Sequence, residues 1–484
     1  MKKYIIIALA AAAVFTSCGK DFLTEAPKLA QSDVLTLSTF DGLNLSTAGA
    51  YAPMASTNWY GARFILDNEM GTANGKRWGI LFDEYESGRY TDQYSINYTP
   101  NSTSPLWGQA YYVISSANNV LNAIENNGME AYLSTSVSEQ DIKNLQAECL
   151  FLRAFSHFDL VRTYAMPYDP STASTALGVP YIYVSDSEAQ PARETMAKTY
   201  ENIIADLLKA EEIIDPDYVR AGTKDATASV TLEVIQAMLA RVYQYNQQWQ
   251  KAADYATKVI KSGKYQMWTP EDLKNAAVYR VDVPSKGEVI FEIYNNTSQS
   301  YGTGNENMWG MTSYDCYGDC GVSSDLTDLF EAGDVRATCY TPDPDGRGMF
   351  TLKYFGKGLG SIDANNVIIL RLSEMYLIRA EAGINGATGD FNAAADLRTI
   401  AENRGATAQP ATPSGVFDEC QKEFGWEGHL WFDLARTGRP MTRKDVAGNV
   451  PTELAVGDYR WAKPIPNREF TVNKNLEQNK GYGE

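Results

Sequence analysis

The sequence predicts a mostly α-helical protein, a scaffold of paired helices broken by long irregular insertions with short strands. Three observations carry this. Over much of the middle and end of the chain, apolar residues return at steps of three, four and seven, which lays one apolar stripe along each helix. Two stretches share a small–aromatic–small register, Ala240, Trp249 and Ala252 in one and Ala382, Phe391 and Ala394 in the other. That spacing is a feature of tetratricopeptide-type helix pairs, where small residues let two helices approach and an aromatic fills their turn. Before and between these stretches lie segments rich in Gly, Asn, Ser, Asp, Tyr and Trp with little helical period.

The first residues read as an address. Lys2 and Lys3 precede an apolar run from Ile5 to Phe15, closed by Thr16, Ser17, Cys18 and Gly19, the layout of a signal peptide over 1–17. The run falls short of the ~20 apolar residues that a bilayer-spanning helix needs, and no later stretch reaches that length. Cys18, directly after small residues, resembles the lipidated first residue of a bacterial lipoprotein, although Phe15 stands where the usual pattern has Leu. Residues 18–38 are then a lipidated tether, held to a membrane by buried acyl groups at ~0.8 kcal/mol per CH₂. One domain follows over 39–484.

Within that domain, helices are expected over 106–126 (Trp107, Tyr111, Ile114, Leu121, Ile124), 145–164 (Cys149, Leu152, Phe155, Phe158) and 199–214 (Tyr200, Ile203, Ile204, Leu207, Leu208). The second stops before Pro167 and the third at Asp215 and Pro216, where proline cannot continue a helix. The helical repeats span about 106–164, 194–262 and 368–404. Because the two small–aromatic–small units lie about 140 residues apart, a continuous superhelix is not implied. Residues 56–105 and 295–366 are the insertions. Segments of this length in a compact protein are functional or disordered, and their aromatic content argues against disorder. Strand-like runs such as 288–293 accompany them.

Charge and composition exclude whole classes of function. The 484 residues, 44% hydrophobic and 21% charged, are those of an ordinary globular chain. The formal charge is −18, or −20 once the leader with Lys2 and Lys3 is removed, so nucleic acid is not an expected partner, since phosphate binding needs clustered cations. With only His157 and His429, zinc sites built on several histidines are excluded, and any Ser-His-Asp triad would have to use one of those two. No metal or cofactor is expected. His157, on an apolar helix face, reads as a core histidine. Cys149 and Cys420 read as core thiols; a disulfide among Cys316, Cys320 and Cys339 stays open.

Several segments are similar to the SusD/RagB family of outer-membrane nutrient-uptake lipoproteins. The start, Ser17 to Leu23, is one. The run 145–155, with Glu148, Cys149, Leu152, Arg153 and Phe155, continues into Phe158, Asp159, Leu160 and Val161. Later come Leu370, Arg371, Leu372, Ser373 and Glu374 leading to Arg379, Ala380, Glu381 and Ala382, and then Glu423 through Leu434. Pro464 to Glu469 closes the set. The resemblance implies a SusD-like fold and a surface-exposed lipoprotein of the outer membrane, anchored through Cys18. Such a protein captures oligosaccharide, hands it as a lid to a TonB-dependent barrel of the SusC type, and performs no catalysis. The family's helix motifs are structural signatures, so no binding role falls on Arg379, Glu427 or His429. Capture of peptide by the same kind of lipoprotein, a surface glycoside hydrolase and a pure protein–protein scaffold are the rival readings.

Sugar rings are gripped by flat aromatic faces beside a few polar groups. Two clusters have that composition, one in each insertion: Asp67, Asn68, Asn74, Arg77 and Trp78, and Tyr301, Asn305, Asn307, Trp309, Tyr314 and Tyr317. These are expected to be exposed on loops, so that Trp78→Ala or Trp309→Ala weakens glycan binding with little change in melting. Other motifs carry less. The run 71–76 has the wrong spacing for a phosphate loop and is followed by Arg77 rather than Ser or Thr. The glycines at 356, 358 and 360 lack a dinucleotide fingerprint's context. Asp343, Pro344, Asp345 and Gly346 make a turn without the later glutamate of a calcium loop.

Overall fold

The computed structural model describes residues 36–78, 87–102, 105–186, 188–223, 226–280, 287–295, 305–356 and 365–483. The leader, Cys18 and most of the tether lie outside the described residues, as do Tyr301 and the glycines at 358 and 360.

The scaffold is a row of helices, each packed on the next: α1 (Phe40–Tyr51), α3 (Leu106–Asn127), α4 (Glu139–Tyr164), α5 (Met196–Ile213), α6 (Leu232–Tyr245) and α7 (Trp249–Lys261), with α2 (Arg63–Met70) set aside from the row. The row does not stop where the second insertion begins. Helix α7 packs directly on α9 (Leu372–Ile384), which in turn carries α10 (Ala393–Glu402) and α11 (Pro413–Phe424). The two small–aromatic–small units are therefore neighbours in space despite their separation in sequence. Gln250 fixes the join by exchanging hydrogen bonds of 2.9 and 3.0 Å with the Thr388 backbone. Phe391 lies on Gly383, where a Cβ would come within 3.0 Å of its ring. Among the described residues, no helix is long and apolar enough to cross a membrane.

Caps set the starts. Thr39, Thr195, Thr231, Asn392 and Thr412 each accept a backbone N–H of the first turn, satisfying donors that have no partner within the helix. Helix α4 begins six residues earlier than its apolar period indicates, because Ser138 and Asp141 form a reciprocal capping box ahead of the polar turn 139–144. It is buried on nearly every side beyond Asn144, the pattern of a central helix.

The insertions fold into a sheet of their own. Strand β1 (Gly75–Arg77) comes from the first, and β3 (Cys320–Val322), β4 (Tyr340–Pro342) and β5 (Met349–Thr351) from the second, in the order β1-β3-β5-β4. The join is antiparallel, pairing Gly75 with Val322, Lys76 with Gly321 and Arg77 with Cys320. The strand-like run at 288–293 is β2 (Val289–Ile293), paired antiparallel with β6 (Val367–Arg371). Helix α8 (Met308–Thr312) leads into β3, and α12 (Leu430–Arg436) follows α11. Cys149, Cys316, Cys320, Cys339 and Cys420 are all free thiols.

Candidate functional site

The β1–β3 ladder brings the two predicted clusters to one place, but not with the exposure expected of them. Trp78 directly follows β1 and is only 4% exposed. Its indole lies over Gly321 and Gly348, and a Cβ at either glycine would overlap it. Phe350 packs beside it at 6.3 Å and the Lys76 ammonium lies 4.9 Å from its ring. Trp309, on the one-turn helix α8, is buried as well. For Trp78 the reason is that a polar, glycine-rich stretch reads as surface, whereas Gly321 and Gly348 are the floor on which its ring packs.

The polar members of the first cluster also turn inward. Asp67, fully buried, faces Arg63 at 3.2 Å and Lys463 at 3.9 Å. Asn68 accepts from Lys463 and donates to the Phe64 carbonyl. Asn74 donates to Glu69 at 2.8 Å and accepts from Gln421 at 3.1 Å. Glu69 also accepts the Gly428 N–H at 2.6 Å; burial pushes its carboxyl up to about 7 against those hydrogen bonds. Arg77 donates to the Arg89 carbonyl at 2.7 Å and is buried. Asn307 caps α8 by accepting the Gly310 N–H.

What reaches solvent is a smaller set resting on these. Tyr317 is 39% exposed and stacks on the Arg89 guanidinium, 4.2 Å from its centroid. Arg89 is held by Glu306 at 2.8 Å and Asp319 at 3.5 Å, and Ser87 donates to Asp319. Burial raises the Asp319 carboxyl despite these partners. Tyr314 is half-buried, packed edge-on to Phe350 at 6.0 Å and beside half-buried Phe355 at 5.2 Å. Arg347 fixes that turn, donating to the Tyr314 carbonyl at 2.7 Å while paired with Asp343. Asn305 is half-buried beside exposed Glu306. Tyr314 with Phe355, and Tyr317, three residues further along the same segment, with Arg89, make up the ring-bearing rim of this region, with Phe350 packed against Tyr314 and Trp78 against Phe350. Sequence reasoning missed Arg89 and Phe355; the signal for Arg89 was an arginine next to an aromatic, Tyr90, in an otherwise acidic stretch.

A roomy open hollow lies elsewhere. It measures about 520 Å³ between α3, residues 180–191 and the C-terminal segment, and is lined by Trp107, Tyr111, Ile182, Val184, Val472 and Leu476 among others. Volume alone favours it as a ligand site. Its lining mixes aliphatic side chains with Trp107 and Tyr111 and with Asn119, Asp186, Glu469 and Asn473, but Trp107 is only 3% exposed, and the rim, where Tyr317 offers an accessible ring beside a guanidinium, is preferred.

The motif residues without an expected binding role are internal. Glu427 meets Arg371 at 3.0 Å and Lys353 at 2.7 Å. Arg379 pairs with Asp396 at 2.6 Å. His429 is half-buried and stacks on Phe424, with ring centroids 4.3 Å apart.

Residues 21–244 match a family described as starch-binding and associating with the outer membrane, and residues 346–482 match the SusD family. The starch-binding protein SusD of Bacteroides thetaiotaomicron is 32% identical over 177 residues, a span covering 31% of this chain and 31% of that protein. A SusD-like protein of Bacteroides ovatus is 24% identical over 92% of this chain and 84% of its own. A SusD superfamily protein of Bacteroides vulgatus, solved by crystallography, superposes with a TM-score of 0.80 at 29% identity, covering 92% of this chain and all of the other. The chain belongs to the SusD/RagB family and has its mostly helical fold.

Proposed function

We propose that this protein is a non-catalytic lipoprotein of the outer membrane that binds oligosaccharide on the rim formed by Tyr314, Tyr317, Phe355 and Arg89, and passes it to a TonB-dependent transporter of the SusC type. The observation that carries the reading is the stack of Arg89, from the first insertion, on half-exposed Tyr317, from the second, beside the sheet in which β1 and β3 join the two insertions. Family membership supports it, since the relative named starch-binding shares sequence with this chain. Flat rings supply contact area at low entropic cost, and the neighbouring carboxylate, guanidinium and amide orient hydroxyls. Asn305 is retained among the contacts from the sequence candidates. Arg77, through the Arg89 carbonyl, and Trp78, through Phe350, support the rim from beneath, while Asp67, Asn74 and Trp309 are not assigned to the ligand.

Anchoring through Cys18 accords with the leader. The helical face, where Tyr112, Val184 and Val472 stand exposed near the hollow beside α3, is assigned to the transporter, because exposed apolar patches mark protein contacts. Tyr317→Ala and Tyr314→Ala test the glycan site. Each is expected to weaken retention of the protein in glycan-containing gels by roughly tenfold, within the ~1–3 kcal/mol that ring stacking contributes in nucleic-acid sites, while the urea midpoint of the variant at the more exposed Tyr317 stays put. Retention of both variants at the parent's level would place the site elsewhere.

A further inference from the structure

The charge arrangement around the rim carries an inference about the ligand, which rests on the glycan reading above. The two insertions contribute seven lysines and arginines among the described residues, and all are engaged. Arg63 faces Asp67, Lys76 pairs with Asp445, and Arg89 is held between Glu306 and Asp319. Arg336 lies between Asp334 and Glu419, Arg347 pairs with Asp343, and Lys353 with Glu427. Arg77 is directed to the Arg89 carbonyl and lies near Asp319. Carboxylates, by contrast, stand at the surface: Glu306, whose side chain is 47% exposed, with Asp315 next to Tyr314 and Asp345 in the turn that Arg347 closes.

An anionic sugar binds through a cation whose charge is not already matched, usually a guanidinium offering two parallel N–H donors. Among the described residues, the guanidinium stacked on the rim, Arg89, already meets two carboxylates and Arg347 is paired with Asp343, and the whole chain, at −18, has the sign that repels a polyanion. We infer that the site selects uncharged oligosaccharides and rejects those bearing uronate or sulfate groups. The neutral ligand meets ring faces and hydroxyl-directed hydrogen bonds, neither of which depends on net charge.

Native gels test this with the full-length mature protein. One set contains starch, levan, galactomannan, mixed-linkage β-glucan or mannan; the other contains polygalacturonate, alginate or chondroitin sulfate. Both are run at about 0.1 M salt, where the Debye length of ~10 Å leaves repulsion across the rim in force. Retardation confined to the first set is expected, with affinity changing less than about twofold at ~1 M salt, where the Debye length is ~3 Å. Retardation by any acidic polymer equal to that by the best neutral one overturns the inference and leaves glycan binding standing. No retardation in either set removes the glycan reading and the inference with it.

Discussion

His157 is fully buried, and its two ring nitrogens are both spoken for. Nδ1 lies 2.8 Å from the Arg153 carbonyl, so it carries the proton, and Nε2 accepts the Ile182 N–H at 3.1 Å. Tyr181 stacks on the ring at 3.7 Å. A second proton would sit on Nε2 facing another N–H. Burial, with a smaller repulsion from Arg153, accordingly depresses the imidazole to about 3 from the usual 6.5. The unfolded chain therefore binds a proton that the folded chain does not between pH 6.5 and 3, and stability falls as pH drops through that window. The slope is up to about 1.4 kcal/mol per pH unit. Urea unfolding at pH 7 and pH 5 should show it, and His157→Gln, which can still donate to Arg153, should flatten it. Equal slopes for the two proteins would mean that the imidazole is not held neutral. This residue was legible in the sequence as a core histidine, since it sits on the apolar face of α4; its tie to residue 182 was not, because that contact joins a helix to a segment with no pattern of its own.

Among the elements, helices were the most legible and the sheet the least. The 3.6-residue period located α3 and α5 to within a few residues, because each buries one stripe. For α4 it located the end but missed the first turn, where only Ile142 is apolar. The strands of the insertion sheet are three residues each, too short for alternation to show, and β1 pairs with a strand far along the chain. The place of Trp78 could not be read for the same reason: of the glycines that make room for it, Gly321 lies in β3 and Gly348 just before β5. The expectation that Trp78→Ala spares stability therefore reverses. Emptying this site should cost ~3–5 kcal/mol, as for other buried aromatic truncations, and loosen the rim above it. Gly321→Ala should destabilise by pushing a Cβ into the indole, and the double variant should be less destabilised than the sum, since the added methyl enters the vacated space. Urea midpoints for the three variants decide this, and strict additivity would show that the glycines do not seat the ring.

At the scale of the molecule, one buried ionic cluster ties the insertion side to the helical row. Arg371, at the end of β6, pairs with Glu288 at 2.7 Å, Glu427 at 3.0 Å and Glu423 of α11. Arg404 meets Glu288 and Glu423 at 2.8 and 2.7 Å, and Arg336 meets Glu423 at 2.8 Å. The sequence showed Arg371, Glu423 and Glu427 as motif positions but not as partners, and gave no sign of Arg336 or Arg404, since Glu288, Arg371 and Glu423 come from three separate segments. Burial alone would raise the carboxyls; instead the arginines hold Glu423 well below its ordinary range, and Arg371 with Lys353 holds Glu427 below it. Carboxyls depressed on folding stabilise fully above their unfolded pKa of ~4.3, and that stability is lost as pH falls through the folded values. Arg371→Met leaves three glutamates short of a cation, for which ~3–5 kcal/mol is the expected loss at pH 7. The gap between parent and variant should then narrow as pH drops below ~4.3, because the parent alone loses the benefit of strongly depressed carboxyls. The contribution of His157 is common to both proteins and cancels in the difference. Denaturant unfolding across pH 7 to 3 measures the gap directly. A gap of unchanging size would assign the loss to the packing of the arginine stem, and its absence would mean that the cluster does not hold the two parts of the fold together.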